Sequence, residues 1–111
     1  MSEELPLEIT CAEVKRRIGS GEAITLLDCR EPSEHEIVRI ADALLIPMGE
    51  VPGKVTELAE LPAPLVVYCH HGMRSAQTAQ WLRANGVPEA QSMAGGIDQW
   101  ATDIDPSLPR Y

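Results

Sequence analysis

The chain has 111 residues, 44% of them hydrophobic, enough for one compact domain over residues 1–111. Phe is absent and aromatics make up only 4%, so the expected core is Leu, Ile, Val and Ala. A formal charge of -8 disfavours nucleic-acid backbones and anionic membranes as partners.

No apolar stretch approaches the ~20 residues that a membrane helix needs. The start, Met1 to Pro6, lacks the basic and apolar regions of a signal peptide. Cys11, Cys29 and Cys69 are an odd number without regular spacing, which argues against a disulfide framework. The expected setting is a reducing cytoplasm.

Leu7-Glu8-Ile9 predicts a short strand. Thr10 suits the cap of a helix through Ile18, with Glu13 placed to complete a capping box, and Gly19-Ser20-Gly21 ends it. Ile24 to Asp28 is a second, mostly apolar strand of the kind covered on both faces. A brief helix over Ser33 to Ile37 comes next, capped by Ser33 with Glu36 three places on. Ala43 to Ile46 predicts a third strand, stopped by Pro47. Gly49 to Leu61 predicts partly helical chain, with Pro52 near its beginning.

Leu65-Val66-Val67-Tyr68 predicts a buried fourth strand, which Cys69 closes. His70-His71-Gly72-Met73-Arg74 makes a short polar loop. Ser75 then suits the first turn of a helix that Asn85-Gly86 stops. Ala90 to Met93 is a candidate fifth strand, followed by Gly95-Gly96, a helix from Ile97 to Trp100, and an irregular tail with Pro106 and Pro109. Trp81 and Trp100 read as packing residues. Strands alternating with helices at this spacing predict an α/β fold: a mostly parallel five-stranded sheet with helices on both faces. Ligands of such sheets gather at the carboxyl ends of strands. Two strand ends carry polar chemistry here, Asp28 with Arg30, and Cys69 with its loop.

Loop amides and the opening of a helix are expected to converge on the Cys69 sulfur. Unpaired N–H groups and the helix dipole stabilise an anion there, and Arg74 adds positive charge. Gly72 lets the backbone curl. Cys69 is therefore the candidate nucleophile, with His70, His71, Gly72, Met73 and Arg74 as the substrate cradle and Arg74 as electrostatic support. Asp28, Arg30, Glu34 and Ser75 are supporting residues, with Asp28 and Arg30 expected to form a bracing ion pair. Cys29 and Cys11 have no such cradle and read as structural, although Cys29 stands beside the site as a candidate resolving thiol. No Cys-x-x-Cys pair completes a metal shell around His70 and His71, so no metal or cofactor is expected.

Three segments resemble the rhodanese-like, or sulfurtransferase, domain family over roughly Ile9 to Trp100. They are Asp28-Cys29-Arg30-Glu31-Pro32-Ser33-Glu34, the Cys69 loop, and Met93-Ala94-Gly95-Gly96-Ile97-Asp98-Gln99-Trp100. The stretch Glu36 to Pro47 departs from the family's Gly-His-Ile-Pro-Gly-Ala pattern, since His35 precedes Glu36 and both the glycines and the internal proline are missing. The resemblance implies a persulfide on Cys69 that carries sulfur from a small donor such as thiosulfate to a thiol or protein acceptor. The tail Asp105 to Tyr111 resembles that of rhodanese-like domains working beside enzymes that activate ubiquitin-like sulfur carriers. Two other readings are a non-enzymatic binding or redox-sensing module and a phosphatase or arsenate reductase. Four residues separate Cys69 from Arg74, one fewer than in cysteine-dependent phosphatases, so the ring suits one sulfur atom better than a phosphate.

Overall fold

A computed structural model describes residues 5–111. Met1 to Glu4, on which the signal-peptide reading partly rests, lie outside them. Five strands form one sheet: β1 (Glu8–Ile9), β2 (Thr25–Asp28), β3 (Leu44–Leu45), β4 (Leu65–Tyr68) and β5 (Ala90–Met93). The order across the sheet is β1-β5-β4-β2-β3, and every pairing is parallel. The helices are α1 (Cys11–Gly19), α2 (Pro32–Ile37), α3 (Val55–Ala59), α4 (Met73–Ala84) and α5 (Gly96–Asp103), with a 3-10 helix over Met48–Lys54.

Parallel strands need crossovers, and these crossovers cover both faces of the sheet. Residues along β4 alternate between two cores, as a period of two requires. Val66 and Tyr68 join Val14 of α1 and Ile97 and Trp100 of α5 on one face. Leu65, Val67 and Cys69 join Leu58 of α3 and Ala79 and Leu82 of α4 on the other. The two central strands, β4 and β2, lie side by side and end at the same carboxyl edge, with Asp28 opposite Tyr68.

Local chemistry explains most element boundaries. Thr10 Oγ1 accepts the Glu13 N–H at 3.1 Å and starts α1. The Glu13 carboxylate does not complete a capping box; it takes two hydrogen bonds from Arg16, at 2.8 and 2.7 Å. A bidentate guanidinium outcompetes a single backbone amide. The second helix begins earlier than the predicted Ser33 cap allows. Pro32 occupies its first turn, and the Glu31 N–H donates to Glu34 Oε1 at 3.0 Å. At the end of α4, Asn85 is the cap and Gly86 follows at φ +105°. Trp100 is buried as expected, whereas Trp81 is partly exposed beside Met48, Val51 and Pro52. Among the described residues, no helix is long and apolar enough to cross a membrane.

Candidate active site

Cys69 is 1% exposed, at the end of a buried strand, yet its sulfur is not surrounded by hydrocarbon alone. The Gly72 N–H donates to Sγ at 3.1 Å and the Ser75 N–H at 3.3 Å. Both donors exist because of the turn into α4. Gly72 sits at φ +109°, a conformation costly for any side chain, and lies against the Gly95 backbone. It is the N-cap of α4, which makes Met73, Arg74 and Ser75 the first helical turn. First-turn amides have no acceptor within the helix and carry the positive end of its dipole.

Ser75 belongs to the site through its side chain as well as its amide. Its hydroxyl lies 2.7 Å from Ser92 Oγ, donates to the Gly72 carbonyl at 3.2 Å, and accepts from the Cys69 thiol at 3.5 Å. Ser92, on the neighbouring strand β5, is a site residue the sequence pattern does not reveal. A serine inside a strand leaves no local signal, and only the β4–β5 pairing brings it here.

Arg74 grips Glu34 through two hydrogen bonds, at 2.8 and 2.9 Å. That contact holds the Glu34 carboxyl at about 2, well below the usual carboxylate range, despite partial burial. The pair ties the Cys69 loop to α2 across 40 residues of sequence. Met73 is 78% exposed and His71 is also exposed, so both flank the loop on its solvent side.

Asp28 and Arg30 form the expected ion pair, both fully buried, with Arg30 Nη2 to Asp28 Oδ2 at 2.7 Å and Nε to Oδ1 at 2.8 Å. The backbone carbonyl of Val38 also accepts from Arg30. His35 Nδ1 lies 2.8 Å from Asp28 Oδ2, a partnership with no signal in the sequence pattern. Each charge in this cluster has a counter-charge or a directed hydrogen bond, as a buried pair requires.

The tail returns to the site. The Tyr111 ring stacks on His70 with centroids 3.9 Å apart and planes 6° from parallel. Its hydroxyl accepts from Arg30 at 2.8 Å and donates to Glu34 at 2.8 Å, so one side chain joins both ion pairs. Burial, reinforced by His71, lowers the His70 pKa. Gly96 supports the loop from beneath. A side chain there would strike the carbonyl of His70 and, at 2.6 Å, that of Cys69. The Ile97 N–H donates to the Cys69 carbonyl at 2.9 Å and the Asp98 N–H to the His70 carbonyl at 3.1 Å, which keeps both oxygens facing away from the sulfur.

Cys29 and Cys11 direct their thiols at backbone carbonyls, those of Tyr68 at 3.4 Å and Ala94 at 3.6 Å, whereas the Cys69 sulfur receives amides. Burial pushes the Cys29 thiol up to about 12 and the Cys11 thiol up to about 11. Among the described residues, no group of three His, Cys, Asp or Glu side chains is placed to hold a metal ion.

The chain is similar to known proteins over most of its length. The model of the rhodanese-like domain matches residues 10–103. The chain is 34% identical over 109 residues to the maize (Zea mays) adenylyltransferase and sulfurtransferase MOCS3-1, covering 93% of this chain and 23% of that protein. It therefore spans about a quarter of the length of such relatives. A sulfurtransferase of Allochromatium vinosum is 33% identical, with 85% of this chain and 87% of that protein covered. The crystal structure of a rhodanese-related protein from Thermoplasma volcanium superposes with a TM-score of 0.76 at 31% identity, covering 94% and 96% of the two chains. By fold, loop and sequence, this chain belongs to the rhodanese-like domain family.

Proposed function

We propose that the protein is a sulfurtransferase that carries sulfane sulfur as a persulfide on Cys69. The observation that carries this reading is the pair of amides, Gly72 and Ser75, aimed at Sγ from the first turn of α4. Hydrogen bonds to an anionic sulfur favour the thiolate over the thiol. With thiosulfate as donor, the Cys69 thiolate attacks the outer sulfur, an S–S bond forms, and sulfite leaves with the electron pair of the broken bond. A nucleophilic acceptor then attacks the terminal sulfur, and Cys69 departs as thiolate. The amides can serve both states without reorganising, because the negative charge moves by only one atom.

The match to the A. vinosum sulfurtransferase, over 85% of this chain and 87% of that protein, supports this reading. The match to the maize adenylyltransferase and sulfurtransferase also supports sulfur transfer. The acceptor class we favour is a ubiquitin-like sulfur carrier, in a reducing cytoplasm. Phosphatase chemistry is disfavoured by the short loop and by the engagement of Arg74 with Glu34.

Intact mass spectrometry after exposure to thiosulfate tests the proposal. One added sulfur, about 32 Da, is expected on Cys69, removable by cyanide or a thiol. A protein that takes up no sulfur while Cys69 is readily alkylated is not a sulfurtransferase, and partner capture that survives Cys69→Ser would then favour a binding module.

A further inference from the structure

The residue after β2 and the residue after β4 are both cysteines, and the sheet register sets them side by side. Asp28 and Tyr68 are opposed Cα partners joined by the Cys29 N–H, which donates to the Tyr68 carbonyl at 3.1 Å, and Cys29 and Cys69 are the next residue on each strand beyond that pair. Neighbouring strands lie about 4.8 Å apart, and a disulfide spans Cα separations of about 4.4–6.8 Å. Alternation directs both side chains into the same core, which Cys29 and Cys69 share with Leu27, Val67 and Ala79. The Cys29 thiol donates to the Tyr68 carbonyl at 3.4 Å, the peptide group directly preceding Cys69. Cys11 lies in the opposite core, across the sheet.

We propose that Cys29 is a resolving thiol, which closes onto Cys69 as a disulfide when peroxide oxidises the nucleophile. In the first step the Cys69 thiolate attacks hydrogen peroxide, the O–O bond breaks, and Cys69 sulfenic acid and hydroxide form. In the second step the Cys29 sulfur attacks the Cys69 sulfur and an S–S bond forms. The S–O bond breaks, and its oxygen leaves as water with the Cys29 proton. Two thiols are oxidised and one peroxide is reduced. A thiol reductant then reopens the bond by exchange. The device diverts Cys69 from irreversible oxidation to the sulfinic acid. It rests on the reactivity of the Cys69 thiolate and not on sulfur transfer.

Burial holds the Cys29 thiol well above the usual range, which slows its own reaction with peroxide, and its place beside Cys69 on the adjacent strand supplies the sulfur it attacks. The test oxidises the whole chain with hydrogen peroxide, followed by intact mass and peptide mapping without reductant. Loss of two hydrogens, about 2 Da, and a linked Cys29–Cys69 peptide are expected, with Cys11 still a free thiol. After dithiothreitol, Cys69 becomes alkylatable again. In Cys29→Ala, peroxide adds oxygen instead, and recovery of alkylatable Cys69 falls about tenfold. A wild-type chain that shows no linked peptide overturns the proposal, whether it gains oxygen, links Cys11 or stays reduced. So does a folded Cys29→Ala chain that recovers as fully as the wild type. Should that variant not fold, the wild-type peptide map decides alone. Because alkylation is the readout, failure here is distinct from failure of the sulfurtransferase reading.

Discussion

Cys29 and Cys69 occupy equivalent places at the ends of adjacent strands, each 1% exposed, and their backbones treat them oppositely. The Cys69 sulfur receives two amide hydrogens, whereas the Cys29 thiol gives its hydrogen to a carbonyl. One environment favours an anion and the other favours the neutral thiol. Burial therefore does not distinguish the two cysteines in this sheet. The sign of the backbone dipoles facing the sulfur does. That sign is set by the segment leaving each strand. A left-handed glycine and a twelve-residue helix come after Cys69, while Arg30 and the proline-started α2 come after Cys29.

The strand ends also divide the labour between chemistry and stability, and variants can separate the two. The largest effect is expected at Cys69, the proposed nucleophile. Cys69→Ser should lower the rate of sulfur transfer from thiosulfate to cyanide by about 10³-fold or more, as loss of a covalent nucleophile does. Cys29→Ser should leave the rate in reducing buffer within about threefold of wild type. Equal losses in both variants would dissolve the contrast.

Next in size is the brace beneath the site. Asp28→Asn keeps the shape of the side chain and leaves the Arg30 guanidinium buried without its counter-charge. A loss of about 3–5 kcal/mol is expected in urea denaturation, and little change there would mean that the buried pair is dispensable.

The Glu34–Arg74 pair sharpens the comparison through pH. Arg74 lowers the folded-state pKa of Glu34 from 4.5 to about 2. Its stabilisation is thus fully present above about pH 4.5 and disappears as pH falls toward 2. Denaturation curves taken across that window should show this acid-sensitive component in the wild type and its loss in Glu34→Gln. An unchanged slope in the variant would show that Glu34 does not link the loop to α2.

The smallest effect belongs to Tyr111→Phe, which keeps the stack on His70 and removes the hydroxyl between Arg30 and Glu34. About 1–2 kcal/mol of stability should be lost. Nuclear magnetic resonance shifts of His70 should be nearly unmoved, since the ring itself remains.

Much of the fold is written in local patterns. Leu65 to Tyr68 and Ala90 to Met93 form strands at the predicted residues, because short apolar or β-tolerant runs between proline and glycine signals have few other uses. The loop is legible for a similar reason: a cysteine, a glycine and a helix start within seven residues already imply an amide-lined turn. The second helix departs from its predicted start because Ser33 is only a good generic cap. Pro32, one residue earlier, enforces the first turn, and Glu34 takes the Glu31 amide.

The sequence by itself thus determined the parallel α/β architecture, the position of Cys69, and the turn that presents amides to its sulfur. The strands, helices and turn behind these depend on residues within a few places of one another, where backbone sterics and hydrogen-bond counting suffice. Only the tertiary structure decided that Arg74 grips Glu34, that Ser92 meets Ser75, and that Tyr111 closes over His70 and reaches Glu34. Those contacts join residues 17 to 77 positions apart along the chain. Polar side chains have several partners of similar strength, and it is the sheet order that selects among them.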